Sequence, residues 1–342
     1  MTNQVPFQTV VDALLDTTKP FATKYLPFFS DIDPVSLKLT LEAWPRVALT
    51  RKRTLLADLD ALFDTDTIVS FDDFASALLD DPDGLIRAAA IRLLAECEDV
   101  KLIPVYAKML ASDPDVAVRA EAANILNLYV DLGEQEEISE KALRQAEDAL
   151  LAAVHDDSAT VRRRVIESLG YSSRPEVPPL IEAAFDRGTS DWLASALTAM
   201  GRSQDARWIE PIISMLLNDD PAVRLEAARA AGELELDEAR MPLLRLLEEE
   251  EDEEVISAAI WSLSQIGGED VRIYLEHLLD TTEDEDEVEI AFLEDAIANL
   301  SFTEDLEKFD LLAFNPDDEL KDVEELDELD EEDEKPKRKK KS

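Results

Sequence analysis

One phrase recurs down this chain and narrows it to a few architectures. A capping residue is followed by two spacers, an apolar anchor, often Arg, and then alanine-rich sequence. It reads Asp83-Gly84-Leu85-Ile86-Arg87, Asp115-Val116-Ala117-Val118-Arg119, Ser158-Ala159-Thr160-Val161-Arg162 and Asp220-Pro221-Ala222-Val223-Arg224. Fainter copies centre on Trp192, Val255 and Val288, and the seven anchors stand 32, 43, 31, 31, 32 and 33 residues apart. A period of this size means units that bury their apolar faces against their neighbours, and such an array usually works as a surface.

The phrase has a helical logic. Three residues before the anchors stand Asp83, Asp115, Ser158, Thr189, Asp220, Asp252 and Glu285, and six of these types accept a hydrogen bond from the free amides of a helix start. Four residues after the anchors come Ala90, Ala122, Val165, Ala196, Ala227, Ala259 and Phe292, mostly small side chains that let helices approach closely. Apolar residues at plus five and plus eight complete one helical stripe. Gly170, Gly201, Gly232 and Gly267 are expected to stop this helix. Pro104, Pro178, Pro211 and Pro242 mark entry to a second one. The pattern predicts an all-α chain, an α-solenoid of stacked antiparallel helix pairs of ~31 residues each.

Composition agrees. The 342 residues are 46% hydrophobic with only eight Gly, ample for a core but poor in the punctuation of a sheet protein. The single Cys97 excludes an intramolecular disulfide framework and fits a reducing compartment. The first residues lack a secretory signal and no run reaches the length of a membrane span, so a cytoplasmic location is expected. Net charge is −45, unevenly spread: residues 248–334 hold 36 Asp/Glu against three Lys/Arg. A body this acidic disfavours nucleic acid except through a basic tail, and either favours a protein partner with a basic surface or serves solubility alone.

The phrase Asp113-Pro114-Asp115-Val116-Ala117-Val118-Arg119 resembles the short HEAT-like repeats of the phycobilin-lyase type, over about residues 80–314. That resemblance implies a repeat class found in scaffolds, lyase subunits, hydroxylases and regulators alike. The HEAT-like hydroxylase of the hypusine pathway builds its iron site from His-Glu dipeptides. Here Asp156 follows His155 and Leu278 follows His277, so the resemblance does not extend to that activity.

Three domains are expected: an atypical helical N-terminal cap over 1–79, a HEAT-like solenoid of about seven units over 80–314, and a tail over 315–342. In the cap, Arg46, Arg51, Lys52 and Arg53 form the one dense basic cluster, expected to be a solvated face. The long step between Val118 and Val161 carries about eleven extra residues around Gly133, expected to extend a helix over 138–154. Residues 315–334 hold 13 acidic side chains, and Lys335–Lys341 form a basic run.

Chemistry finds little material. His155 and His277 are the only histidines, so a three-His metal site within one chain is excluded; both are expected to be structural, as is Cys97. No catalytic, cofactor-binding or metal-ligating residue is assigned, and no cofactor is implied. The recurring Arg87, Arg119, Arg162 and Arg224 are read as a structural ladder, each pairing with an Asp at a nearby helix start, such as Asp83 for Arg87 or Asp220 for Arg224. The expected function is a non-catalytic interaction scaffold; a bilin-lyase-like subunit is the alternative.

Overall fold

Alanine at the fourth position after five of the seven anchors removes bulk where two helices cross, and aspartate caps start four of the phrase helices. In a computed structural model the described residues are 6–282 and 286–313, with side chains described to residue 303. All regular elements among them are helical. The expected tail lies outside the described residues.

The phrase helices are α5 (Gly84–Arg92), α7 (Val116–Glu134), α9 (Ala159–Leu169), α11 (Ser190–Arg202), α13 (Pro221–Glu233), α15 (Glu253–Ile266) and α17 (Glu287–Ala313). Between them run α6 (Ile103–Ser112), α8 (Glu140–Ala152), α10 (Val177–Phe185), α12 (Ile209–Met215), α14 (Arg240–Glu249) and α16 (Glu269–Thr281). The fold is an α-solenoid. The chain divides into two units, residues 1–230 and 231–342. Within the first, α5 packs on α7, α7 on α9 and α9 on α11, while α6 packs on both α7 and α8. Within the second, α15 packs on α14 and α17, and α16 on α17.

The stripe is buried as expected, from Ile86, Ala90 and Ile91 in α5 to Val255, Ala259, Ile260 and Leu263 in α15. Two anchors differ. Trp192 is half-buried; Leu193 beside it is buried, and the guanidinium of Arg187 stacks 4.1 Å from the indole. Val288, in the first turn of α17, is 83% exposed, and the buried stripe of that helix begins at Leu293.

Capping is narrower than the residue types imply. Asp83, Asp115, Asp220 and Asp252 accept from helix-start amides, but Ser158 and Thr189 make no such bond. Glu285 lies outside the described residues. The glycines also differ from expectation. Gly267 alone of the four takes a left-handed backbone, with φ +77°, at the end of α15. Glu136, Gln204 and Glu235 turn the chain after α7, α11 and α13 with positive φ instead. Gly170 is helical and serves close approach: a Cβ there would sit 2.8 Å from the Ala199 backbone.

Before α5 lie α1 (Phe7–Leu15), α2 (Pro34–Ala43), α3 (Leu49–Phe63) and α4 (Asp72–Ser76). An aromatic cluster forms much of their core, in which Phe29 packs on Phe7, Phe21 and Phe74, and Trp44 on Phe74. Yet α3 packs on α5 and buries Leu55, Leu56 and Leu59. Those are the plus four, plus five and plus eight positions of a phrase anchored at Arg51. A degenerate repeat helix therefore precedes the recognisable ones.

The extra residues before Val161 lengthen α7 to 19 residues, against 9 in α5 and 11 in α9. The following helix, Glu140–Ala152, is capped by Ser139 and is also long, 13 residues against 10 in α6 and 9 in α10, so the insertion extends both the helix before it and the one expected over 138–154.

Candidate functional site

Two of the recurring arginines, Arg87 and Arg119, form a ladder whose rungs join successive repeats. Arg87 forks onto Asp113 at 2.9 and 2.7 Å, and Arg119 onto Asp156 at 2.8 and 3.0 Å with Asp157 at 2.6 Å. Their acceptors belong to the turn before the next phrase helix. The expected partner four residues back on the same helix is not the one used by Arg87. Each Arg also donates to a carbonyl six residues before it: Arg87 to Asp81, Arg119 to Asp113, Arg162 to Asp156 and Arg224 to Asn218.

The Asp side chain at that turn performs a second task. Asp81, Asp113 and Asp156 accept the amide of the capping residue two positions on, as Asn218 does for Asp220. One carboxylate thereby shapes its own turn and receives the previous repeat's guanidinium. Bidentate, partly buried pairs of this kind constrain geometry strongly. Although burial opposes ionisation of Asp156, the Arg119 fork and the Ser158 amide hold its carboxyl below the usual range. The Arg53 guanidinium does the same for Asp83.

The N-terminal basic cluster joins this system and is not a solvated face. Lys52 is buried, 3.6 Å from Asp81, which also accepts from the Trp44 indole N–H at 2.7 Å. Its ammonium lies 4.8 Å from the Trp44 ring centre. Arg53 forks onto Asp83, and Arg51 donates to the carbonyls of Asp16 and Lys19. Arg46 alone of the four is exposed without a described contact. Lys52 stands where the phrase places Arg.

A second row runs over the same helices at the plus three and plus six positions. Arg92 bridges Asp60 on α3 and Glu121 on α7. Ser195 donates to Glu167, which also pairs with Arg164; Thr198 donates to Glu226, which pairs with Arg229. The guanidinium groups of Arg92, Arg164 and Arg229 are thus committed to the chain's own carboxylates.

Where α7 is lengthened, a cleft of about 480 Å³ opens, lined by Glu134, Glu140, Glu147, Asp148, Arg144 and Arg174 among others. Glu147 is buried there and accepts from Ser172; burial pushes its carboxyl above the usual range.

His155 and His277 are both exposed. Cys97 is half-buried, and burial together with nearby Asp72 raises its thiol above the usual range. Its carbonyl accepts from Tyr129 at 2.7 Å. Among the described residues no group of three or more His, Cys, Asp or Glu side chains is placed to hold a metal ion, and no helix is long and apolar enough to cross a membrane.

Repeated helix pairs bound by a shared turn and a shared ladder define an α-helical repeat protein. The chain matches the family model for HEAT repeats over residues 71–143, 177–249 and 209–294, more than half its length, and belongs to that family. The match is to HEAT repeats at large, without the phycobilin-lyase subtype. HEAT repeats generally mediate protein interaction. Among curated proteins none matches the chain. Similar solved structures include human deoxyhypusine hydroxylase in complex with glycerol, 16% identical with a TM-score of 0.33, covering 76% of this chain and 95% of that one. The Escherichia coli protein YibA is 22% identical with a TM-score of 0.40, covering 67% and 92%. An engineered protein is 19% identical with a TM-score of 0.34, covering 86% and 88%.

Proposed function

We propose that this chain is a non-catalytic scaffold whose repeats hold a protein partner with a basic surface. One observation supports the reading above others: the cations at the repeat junctions of the first unit are engaged internally. Arg51, Lys52, Arg53, Arg87, Arg92 and Arg119 all face the chain's own oxygens, while carboxylates such as Asp148, Asp157 and Asp191 remain largely exposed. With a net charge of −45, the surface presented outward attracts positive partners and repels phosphate backbones. The single Cys97 supports a cytoplasmic setting.

The test is capture from the native organism with the full-length chain at ~50 and ~500 mM salt, since screening weakens exposed charge pairs. The reading expects a captured protein with a net positive surface, released at the higher salt. Capture of an acidic protein, or retention indifferent to salt, overturns it.

A further inference from the structure

Three of the four tryptophans carry a cation of the chain's own, and the fourth does not. Lys52 lies 4.8 Å from the ring centre of Trp44, Arg187 4.1 Å from that of Trp192, and Arg207 5.8 Å from that of Trp208. At such distances the electron-rich face of an indole attracts a cation. No Lys or Arg among the described residues lies over the ring of Trp261 in α15. Its ring is also the most exposed of the four, at 40%.

An exposed apolar side chain by itself needs no explanation. Position singles this one out. Trp261 stands six residues after the anchor Val255, in the row where the first unit carries Arg92, Glu167, Thr198 and Arg229. Each of those is tied to the chain's own charges: Arg92 to Asp60 and Glu121, Glu167 to Arg164, and both Thr198 and Arg229 to Glu226. In the second unit this face keeps carboxylates and has no cation. Glu254 lies two turns before Trp261 on the same side of α15, and Glu294 holds the corresponding place on α17, which packs on α15. Both are exposed, and neither α15 nor the described side chains of α17 include a Lys or Arg. Ser257 and Ala258, one turn before Trp261, are too small to cover its ring. An open indole face in a negative field fits a cation that the chain does not supply.

We infer that Trp261 receives a lysine or arginine side chain of the protein partner, its cation seated on the open indole face with Glu254 and Glu294 as the surrounding charges. The inference rests on the scaffold reading and gives it a contact point in the second unit. Tryptophan is among the residues that most often dominate binding at interfaces.

The experiment follows the indole N–H signals of the isotope-labelled full chain by NMR as a triarginine peptide is added at ~50 mM salt, where charge attraction is little screened. The signal that vanishes in Trp261→Phe is expected to move, and the other three to stay. The citrulline counterpart of the peptide, similar in shape but uncharged, should move none. By anisotropy of the labelled peptide, Trp261→Leu should bind about fivefold more weakly, with Trp261→Phe between it and the native chain. The pair E182Q/E210Q, at exposed positions of the first unit, should weaken binding less than twofold. A still Trp261 signal in the presence of bound peptide overturns the inference, as does equal binding by the Leu variant. It is also overturned if removing residues 335–342 moves the Trp261 signal without peptide, since the ring would then hold the chain's own basic run. Circular dichroism checks folding; should Trp261→Leu disturb it, Trp261→Phe and the signal shift decide. Failure here with salt-sensitive capture intact removes this contact and leaves the scaffold, whereas failure of capture itself removes the scaffold first.

Discussion

The repeats around α5, α7 and α9 and those around α15 and α17 share a core stripe and differ in what joins them. Val118 and Val255 are both buried anchors, each followed at plus four by a buried alanine, Ala122 and Ala259. After Val118, however, comes Arg119, forked onto Asp156; after Val255 comes Ile256. The turn before α15 carries Glu250 where the earlier turns carry Asp113 or Asp156, and it still accepts the amide of its capping residue, Asp252. The apolar stripe therefore suffices to make a HEAT-like helix pair. The ladder is an addition that fixes how one pair meets the next, a role consistent with buried ion pairs serving geometry more than net stability.

Breaking the ladder should give the largest effect. Asp156→Ala takes the fork from the Arg119 guanidinium, itself only 11% exposed, leaving it Asp157 and the Asp113 carbonyl, and removes the acceptor for the Ser158 amide. A loss of about 3–5 kcal/mol is expected in urea denaturation, as for removal of one partner from a buried pair. Gly170→Ala comes next. Its Cβ would meet backbone atoms of Ala199 at 2.8 Å, which cannot yield as a flexible side chain would, so about 1–3 kcal/mol is expected from overpacking.

Acid should separate the ladder from the cleft. Asp83 and Asp156 titrate below their ordinary value, so the stability they contribute is present above about pH 3.9 and is lost as pH falls through their folded values. Glu147, raised by burial with Glu134 and Asp148 adding and Ser172 and Arg174 opposing, has the reverse sign. It favours the folded state at low pH and costs stability as pH rises through its folded value. Melting curves from pH 7 to pH 3 should therefore show a drop that Asp156→Asn diminishes and Glu147→Gln does not. The smallest effect is expected from Ile256→Arg, which restores the phrase at a half-buried position of α15. A change within about 0.5 kcal/mol would show that Arg without its prepared Asp turn adds nothing.

These contrasts also explain what could be read from the residues. The period was legible because Ile86, Val118, Val161, Val223 and Val255 are all apolar and buried, with small residues four later at Ala90, Ala122, Ala227 and Ala259. The helix of Leu49–Phe63 is expected within the cap but not as a repeat helix, because Arg51 stands at its anchor position and Ala48 at its cap. The available signal was Lys52 followed by Leu55, Leu56 and Leu59, which reproduces the spacing of Arg87 with Ala90, Ile91 and Leu94. Arg partners could not be assigned from spacing alone. In a repeat, an Asp four residues back on the same helix and an Asp one unit ahead are equally available, and only packing selects Asp113 for Arg87. The glycines misled for a related reason: Gly170 occurs at a helix end, but close contact with the next phrase helix explains it, and Gln204 and Glu235 show that other residues can take the turn.

The central claim, that guanidinium–carboxylate rungs couple one repeat to the next, is most directly tested by a double-mutant cycle on Arg87→Met and Asp113→Leu, read by chemical denaturation. Each single change should cost several times more than the pair together, with a coupling energy of about 1–3 kcal/mol. Additive single effects, with a coupling energy near zero, would contradict it.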